Sequence, residues 1–240
     1  MGLLLGTFIR PVWSAMPSML KQPKERLQME WLWVKESLKN LAMGIKYHWF
    51  DFKDSSFGFR ERRQIARSLH EKMYTAFARG DINTLKKICC TGLVNDLAAR
   101  IQQRRKDEKI IWTLDKYHRG PSTYFTGVRI MADRAAAIPE VPGTGIRQVV
   151  VRITSRQSKG RTKQPSTKGS PAESENSPTA TQDCTEHIVL QRQRVFGQEE
   201  PWRIWGHVTP TTVEDLDDPA FAAGLSVAER FEAMRNLAGR

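Results

Sequence analysis

The sequence has few of the features that hold small secreted proteins together or carry a chain across a membrane. Its 240 residues include three cysteines, of which two are adjacent, and no CxxC pair occurs. A disulfide framework and a structural zinc site are therefore not expected. No apolar run approaches the roughly 18 residues that a membrane-spanning helix needs, so no such helix is expected either.

Motifs for catalysis and for cofactor binding are missing as well. The five histidines form neither HxxH nor HExxH, and the chain contains no GxGxxG, GxxxxGK(S/T) or GxSxG. We therefore predict no enzyme activity, no catalytic residue, no metal, no cofactor and no small-molecule substrate. One alternative stays open, in which Asp115 and His118, beside a predicted strand, form an acid–base pair in a ligand pocket.

Acidic residues are scarce relative to basic ones. The chain has 38 Lys and Arg residues against 26 Asp and Glu residues, a formal charge of +12. Residues 207–240 carry a net charge of −3, which leaves +15 on residues 1–206. Such an imbalance predicts a polyanionic partner, either a nucleic acid or an anionic membrane surface.

Proline content and charge divide the chain into an arm, a main domain and a tail. Three prolines in residues 1–23 predict an extended arm, and residues 24–213 form the main domain. Within it, residues 158–182 lack any large apolar side chain, which predicts a disordered hairpin insertion. Residues 214–240 begin as an acidic tail and end in SVAERFEAMRNL, a short predicted helix with a capping box.

Residues 24–50 have the pattern of a basic amphipathic helix, with apolar residues at spacings of three and four. Such a helix either packs its apolar stripe on its own domain or contacts an anionic membrane or a partner. The stripe consists of Leu27, Trp31, Val34, Leu38, Leu41, Ile45 and Trp49. In the second interpretation the contact residues are Trp31, Trp33, Lys35, Lys39, Lys46 and Trp49.

The remainder of the main domain changes from helices to strands. Residues 60–108 predict three helices, separated at Gly80 and Gly92, with Asp81 as the cap of the second. The fold predicted is α+β, with the N-terminal helices packed on one face of a curved antiparallel sheet whose other face carries Arg and Gln. The predicted strands are residues 109–119, 122–131, 146–157, 185–196 and 201–208.

These helices and strands resemble a domain shared by three mitochondrial groups. The groups are the membrane anchor of the protein-import motor, the inner-membrane ribosome receptor of fungi and a large-subunit mitochondrial ribosomal protein. In the helices the resemblance lies in Ala66, Leu69, Tyr74, Phe77, Ala78, Gly80, Asp81, Leu85, Ile88, Cys89, Leu93 and Leu97. Elsewhere it lies in GTFIRP at residues 6–11, in Trp112 and Tyr117, and in residues 147–153 and 202–206.

The resemblance implies a cone-like fold, similar to nuclear transport factor 2, on the matrix side of the mitochondrial inner membrane. It implies a non-enzymatic component or receptor of the large ribosomal subunit. Its partners are ribosomal RNA and proteins near the exit tunnel, together with the inner-membrane surface and the insertion machinery. Phosphate contacts are expected, without base readout, from Arg62, Arg63, Arg67, Arg100, Arg104, Arg105, Arg152, Arg156, Arg192 and Arg194.

Two other interpretations stay open. One is a subunit like the import-motor anchor, which binds a chaperone and the translocase instead of ribosomes. The other is a ligand-binding or enzymatic cone-fold domain that uses Asp115 and His118. That alternative requires a deep apolar pocket on which polar groups converge.

Overall fold

The computed structural model describes residues 2–4, 6–47, 59–105, 108–138, 141–163, 180–217 and 221. The predicted α+β class, with helices packed on a curved antiparallel sheet, is confirmed. The helices of the described part are α1 (Pro23–Ile45), α2 (Phe59–Arg79), α3 (Ile82–Ile88) and α4 (Thr91–Gln102). Its strands are β1 (Glu108–Tyr117), β2 (Val128–Ala137), β3 (Gly145–Lys163), β4 (Ala180–Val195), β5 (Gln198–Glu199) and β6 (Arg203–His207).

The three helices predicted within residues 60–108 are confirmed, and so are two of the signals that separate them. Gly80 follows α2 with a φ of 73°, a left-handed conformation that costs glycine little and ends the helix. The Asp81 carboxylate then accepts a hydrogen bond from the Thr84 amide at 3.0 Å and caps α3. Local sequence therefore decides this boundary. The second predicted break is wrong, because Gly92 lies inside α4.

The long strand β3 organises the sheet. β2 pairs with its first half and β1 with its second half, so both strands lie along the same edge of β3. β4 pairs along the other edge and carries β5 and β6 on its far side. Every pair is antiparallel, and three of the pairs contain a register shift. Such irregularities bend the strands and help the sheet to curve.

Residues 158–182, predicted as a disordered insertion, form strands at both ends. Residues 158–163 continue β3 and pair with β1, and residues 180–182 belong to β4. These segments have no large apolar side chains, but ladder hydrogen bonds to neighbouring strands satisfy their backbone groups. The prediction is therefore wrong at both ends, and residues 164–179 lie outside the described part of the chain.

The second predicted strand, residues 122–131, is wrong over its first half. Pro121–Thr123 form a 3-10 turn, and Tyr124 and Phe125 have φ values of 50° and 57°. β2 begins only at Val128. Aromatic and β-branched content predicts an extended chain here, whereas turn hydrogen bonds determine the conformation that forms.

Helices α2, α3 and α4 cover one face of the sheet with an apolar core. Leu85 of α3 is fully buried there against Val149, Val151 and Ile153 of β3. Cys89 lies in the same core, where burial raises the pKa of its thiol to about 12. The predicted helix-covered face is therefore confirmed, and Cys89 is one of the side chains that pack it.

The opposite face, predicted to present Arg and Gln, is covered as well. The N-terminal arm lies across it, with Ile9 in one apolar cluster with Val150, while α1 packs against β2. Arg152 is buried beneath the arm and donates a hydrogen bond to the carbonyl of Arg10. An arm that is not part of the sheet has unpaired backbone groups, and buried polar side chains satisfy them.

Candidate functional site

Helix α1 turns its apolar stripe away from the protein. Leu27, Trp31, Val34, Leu38 and Leu41 are all exposed, Trp31 by 70% and Leu38 by 64%. The helix does pack on its own domain, but through another face, so these five residues of the stripe are left exposed. We call these five residues the α1 outer face. None of the described helices has the length and apolar character needed to cross a membrane.

The inner face of α1 combines apolar and charged side chains. Met29 and Leu32 are buried in a cluster with Phe8 of the arm. Glu36 is also buried, and its carboxylate accepts a hydrogen bond from Arg134 of β2 at 3.1 Å. Because arginine and glutamate neutralise each other, the helix can bury this polar side and expose its apolar one.

Two carboxylates of α1 are bound by cations of the domain. Glu30 and Glu36 face the domain and accept hydrogen bonds from its arginines at 2.6 and 3.1 Å. Of the predicted contact lysines, Lys46 is exposed, Lys35 is half-buried, and Lys39 is half-buried and bonded to Glu36 at 2.7 Å. An apolar stripe with lysines nearby and carboxylates turned inward is typical of a helix at an anionic surface.

The predicted contact tryptophans have different environments. Trp31 lies on the α1 outer face, but Trp33 is half-buried, with the Arg10 guanidinium 4.4 Å from its ring centroid. Trp49 lies outside the described residues. The contact set of the sequence analysis is thus reduced to Trp31 and the lysines, because a cation in the arm engages Trp33.

The turn directly before α1 adds exposed apolar residues that the sequence analysis missed. Trp13, Met19 and Leu20 are all exposed, and Leu20 is almost fully so. The turn is closed by a hydrogen bond from the Gln22 amide to the Ser18 carbonyl at 2.8 Å. The three-and-four spacing stops at Leu27, so no periodic signal identifies these residues.

Two of the ten arginines predicted to contact RNA are buried, which removes them from that role. Arg62 of α2 donates to Asp133, which also accepts hydrogen bonds from Arg147 at 2.8 and 2.9 Å. Arg152 donates to His187 Nε2 at 3.0 Å. Burial lowers the pKa values of Arg62 and Arg152 to about 10, so both stay charged and serve as structural cations.

Four further arginines of the set are half-buried and bonded within the protein, so much of their charge is already engaged. None of the four is a freely exposed cation, although each keeps part of its side chain in solvent. Arg67 donates to the Thr126 carbonyl, Arg104 to the Ala78 carbonyl, Arg156 to Asp183, and Arg192 pairs with Glu199.

The basic face predicted at the end of α4 is smaller than its spacing suggests. Arg100 and Arg105 are exposed, and Arg100 lies 3.2 Å from Asp96. Arg104 instead lies over the Phe77 ring, with its guanidinium carbon 4.2 Å from the centroid. The last two members of the predicted set, Arg63 and Arg194, are half-buried.

A hydrogen-bond network fills part of the space between α2 and the sheet, and the sequence did not reveal it. The buried His70 has its Nε2 atom 2.9 Å from Glu186, which also binds Tyr74 and, at 3.1 Å, Gln157. Burial alone raises the pKa of Glu186, but hydrogen bonds from His70 and Tyr74 outweigh it and lower the pKa to about 2. Burial also raises the pKa of Tyr117, beside His70, to about 12. The groups satisfy one another, although α2 and β4 are far apart in sequence.

Asp115 and His118, the candidate acid–base pair, bind other partners. Asp115 accepts a hydrogen bond from the Ser158 hydroxyl at 2.7 Å, and His118 Nε2 lies 2.8 Å from Asp183. In the part of the chain that the structure describes, no three His, Cys, Asp or Glu side chains gather as a metal site. The geometry thus lacks the pairing on which the enzymatic alternative depends.

Comparison with known proteins gives one distant similarity. No family model matches the chain. The chain is similar to an uncharacterized protein of Schizosaccharomyces pombe, with 25% identity over 213 residues, which is 88% of this chain and 70% of that protein. A match of this length includes both helices and sheet, so the two chains are similar across more than one motif.

Proposed function

We propose that this protein is a non-enzymatic adaptor of the mitochondrial large ribosomal subunit. It binds ribosomal RNA and proteins near the exit tunnel and tethers translation to the matrix side of the inner membrane. The helices on a curved antiparallel sheet are compatible with the cone-like, nuclear transport factor 2-like fold that the family resemblance implies. The net charge of +15 on residues 1–206 suits a polyanionic partner.

The α1 outer face is the observation that carries the proposal. Its apolar side chains are 40–70% exposed in the described fold, and a patch of this kind marks an interaction surface. The occupant we assign is an anionic bilayer surface, because the carboxylates of Glu30 and Glu36 point inward while Lys46 stays exposed. Leucine and tryptophan at such a surface insert to the level of the lipid headgroups.

The two alternatives differ from this proposal in what they bind. An import-motor anchor retains import subunits instead of ribosomal ones. A ligand-binding domain needs an apolar pocket with convergent polar groups, whereas Asp115 and His118 engage separate partners.

A bridging flotation assay tests the proposal. Mitochondrial large subunits, cardiolipin-containing vesicles and the purified protein are mixed and centrifuged through a gradient. The wild-type protein is expected to carry subunits upward with the vesicles. Trp31→Gln/Leu38→Gln removes two exposed apolar side chains, which weakens vesicle binding by roughly tenfold or more while subunits stay bound. Its free energy of unfolding changes by only about 0.5 kcal/mol per site.

Phe196→Gln is the matched control, because Phe196 is an equally exposed aromatic residue in the turn between β4 and β5. This variant is expected to float subunits as the wild type does. Subunits that stay at the bottom with wild-type protein contradict the adaptor function. Equal flotation by the double variant contradicts the assignment of the α1 outer face.

A further inference from the structure

We propose that the turn before β2 and the cleft beside it form a binding site for unpaired RNA. Residues 120–127 are called the aromatic turn here, because Tyr124 and Phe125 project from it into solvent. The two rings stack on bases, while basic side chains of the cleft hold the neighbouring phosphates. This inference rests on the proposed function and assigns one RNA-binding surface to it.

The aromatic turn holds two large side chains in unfavourable surroundings. Tyr124 is 62% exposed and Phe125 65% exposed, although aromatic rings gain most from burial. Both residues also have positive φ, a conformation that side chains of this size seldom adopt. The positive φ values end the 3-10 turn through local hydrogen bonds, but exposure of the two rings gains nothing for the fold. Large rings that are held in solvent on a bonded turn therefore point to an interaction.

The turn is rigid because its backbone is bonded from inside. The fully buried Thr123 accepts a hydrogen bond from the Gly127 amide at 3.1 Å through its hydroxyl. The Phe125 amide donates to the Gly120 carbonyl at 2.9 Å. Gly127 is required, because a Cβ atom there would lie 2.7 Å from the Cβ of Tyr117. The two rings are therefore held in place before any ligand arrives.

Phe196 is also an exposed aromatic residue with positive φ, but it lies in a hairpin turn between paired strands. Phe196 and Gly197 have φ values of 48° and 84°, but they form the two-residue connection between β4 and β5. Tight hairpins require positive φ at both central positions, so the geometry at Phe196 has a local cause. Tyr124 and Phe125 close no such hairpin.

Most of the residues that line the cleft beside the aromatic turn are basic. It has a volume of about 480 Å³ and is formed by Arg67, Lys116, Tyr117, His118 and Arg119. Lys116 and Arg119 are exposed and form no ion pair with any described residue. The Nε atom of Arg67 is buried without a hydrogen-bond partner among those residues. Such a set suits the oxygens of phosphates.

The cleft and the aromatic turn are in direct contact. Arg67, from the cleft, donates a hydrogen bond to the carbonyl of Thr126 in the turn. Arg129, just after the turn, places its guanidinium carbon 3.8 Å from the Tyr124 ring centroid. Aromatic faces and cations thus alternate over a few residues, which is how proteins bind single strands without base readout.

Charge distinguishes this cleft from another one between α4 and β6. That cleft has a volume of about 720 Å³ and contains Asp96 and Glu200 as well as Arg100 and Arg203. Its mixed charge does not select an anion. The carboxylates beside the smaller cleft include Asp183, which Arg156 neutralises with hydrogen bonds of 2.7 and 2.9 Å, and Glu71, whose charge acts on Tyr117. Neither of them lines the cleft.

Unpaired RNA fits the site better than a duplex. In a helix the base faces are stacked on one another, so they cannot reach two rings on a rigid turn. In loops and single strands the faces are free and the phosphates remain close by. The predicted ligand is therefore a single-stranded segment, bound with little preference for sequence.

Binding of a fluorescent 10-nucleotide RNA to the full-length protein tests the site. Tyr124→Asn/Phe125→Asn removes both rings, and asparagine tolerates positive φ, so the turn is retained. We expect its Kd to rise about tenfold or more, with an unchanged dependence on salt. Lys116→Gln/Arg119→Gln is expected to lower the slope of log K against log salt by about 0.7 for each phosphate that the protein no longer neutralises.

Phe196→Asn is the matched control and should bind the RNA as the wild type does. Equal affinity of wild type and Tyr124→Asn/Phe125→Asn, with equal thermal unfolding, overturns the inference, and so does equal affinity for a duplex of the same sequence. Loss of vesicle binding instead of RNA binding assigns the turn to a membrane and also overturns it. Failure of the proposed function would be a separate result. In that case the wild-type protein carries no ribosomal subunits in the flotation assay, while its binding of this RNA is still weakened by Tyr124→Asn/Phe125→Asn.

Discussion

The two layers that cover the sheet are built from different interactions. On one side, α2, α3 and α4 bury an apolar core against Val151 and Ile153. On the other side, the arm and α1 combine small apolar clusters with buried arginines, of which Arg134 binds Glu36 and Arg152 binds the arm. The first layer uses its apolar residues for stability. The second leaves many of its apolar residues outside, where they are available for binding.

This difference separates stability from function within one domain. A layer held by charged hydrogen bonds can expose its apolar stripe, because burial of that stripe is not needed to keep it in place. The α1 outer face therefore belongs to an interaction surface, and its inner face to the fold. Variants that affect one layer at a time test this division.

The largest effect is expected from the helix-covered core. Leu85→Ala leaves a cavity at a fully buried site and should lower the free energy of unfolding by about 3–5 kcal/mol. Both layers should unfold together, because the arm and α1 pack on the same sheet as the other helices. Urea unfolding followed by circular dichroism and by tryptophan fluorescence measures this, and transitions that separate contradict it.

A smaller and more local effect is expected from the arm and α1 layer. Arg134→Met removes one of the two partners of the buried Glu36 and should cost about 3 kcal/mol. Hydrogen exchange should increase in residues 6–45 while α2 and α4 stay protected. Uniform exchange across both layers would show that the two are not separable. Arg100→Met is the control, because Arg100 is exposed.

The smallest of the three expected effects is the loss of stability at low pH. It should begin at a higher pH on the arm side of the sheet than on the helix-covered side. Burial lowers the pKa of His187, on the arm side beside Arg152, to about 4, so its neutral form is favoured in the fold. The unfolded state then takes up a proton first, and stability falls by about 2–3 kcal/mol as pH drops from about 6.5 to 4. The pKa of Glu186 is lowered, so the contribution of this carboxylate to folding stability is lost only below about pH 4.5.

Unfolding free energies measured between pH 7.5 and 5 check this difference. His187→Gln keeps an acceptor for Arg152 and should flatten the curve, apart from a remaining slope due to His207, whose pKa burial also lowers. A variant with the wild-type slope would exclude His187 as the cause. Glu186→Gln should make the slope steeper, because loss of the carboxylate charge lets burial lower the pKa of His207 further.

Much of the fold was predictable because its signals are local. The breaks at Gly80 and Asp81, and the alternation of Val149 and Val151, follow from backbone geometry and from the period of apolar residues. The turn at Tyr124 was not predictable, since its composition is that of a strand. The ends of the 158–182 insertion were missed because ladder pairing depends on neighbouring strands.

The candidate surfaces were predictable in kind and less so in detail. Spacing identified the stripe of α1 but not its direction, and arginine content indicated polyanion binding but not which arginines are buried. Arg62 and Arg152 have no sequence feature that separates them from exposed arginines. The hydrogen bonds from His70 and Tyr74 to Glu186 link residues more than a hundred positions apart.

The sequence by itself determined the α+β class, the boundary between α2 and α3, the basic charge and the presence of an amphipathic helix. These properties depend on composition and on neighbours along the chain. Only the tertiary structure decided which side of α1 faces solvent, which arginines are buried, and that Arg67 donates a hydrogen bond to the turn that carries Tyr124 and Phe125. Those outcomes depend on what packs against each side chain, and an extended arm across the sheet changed the partners that were available.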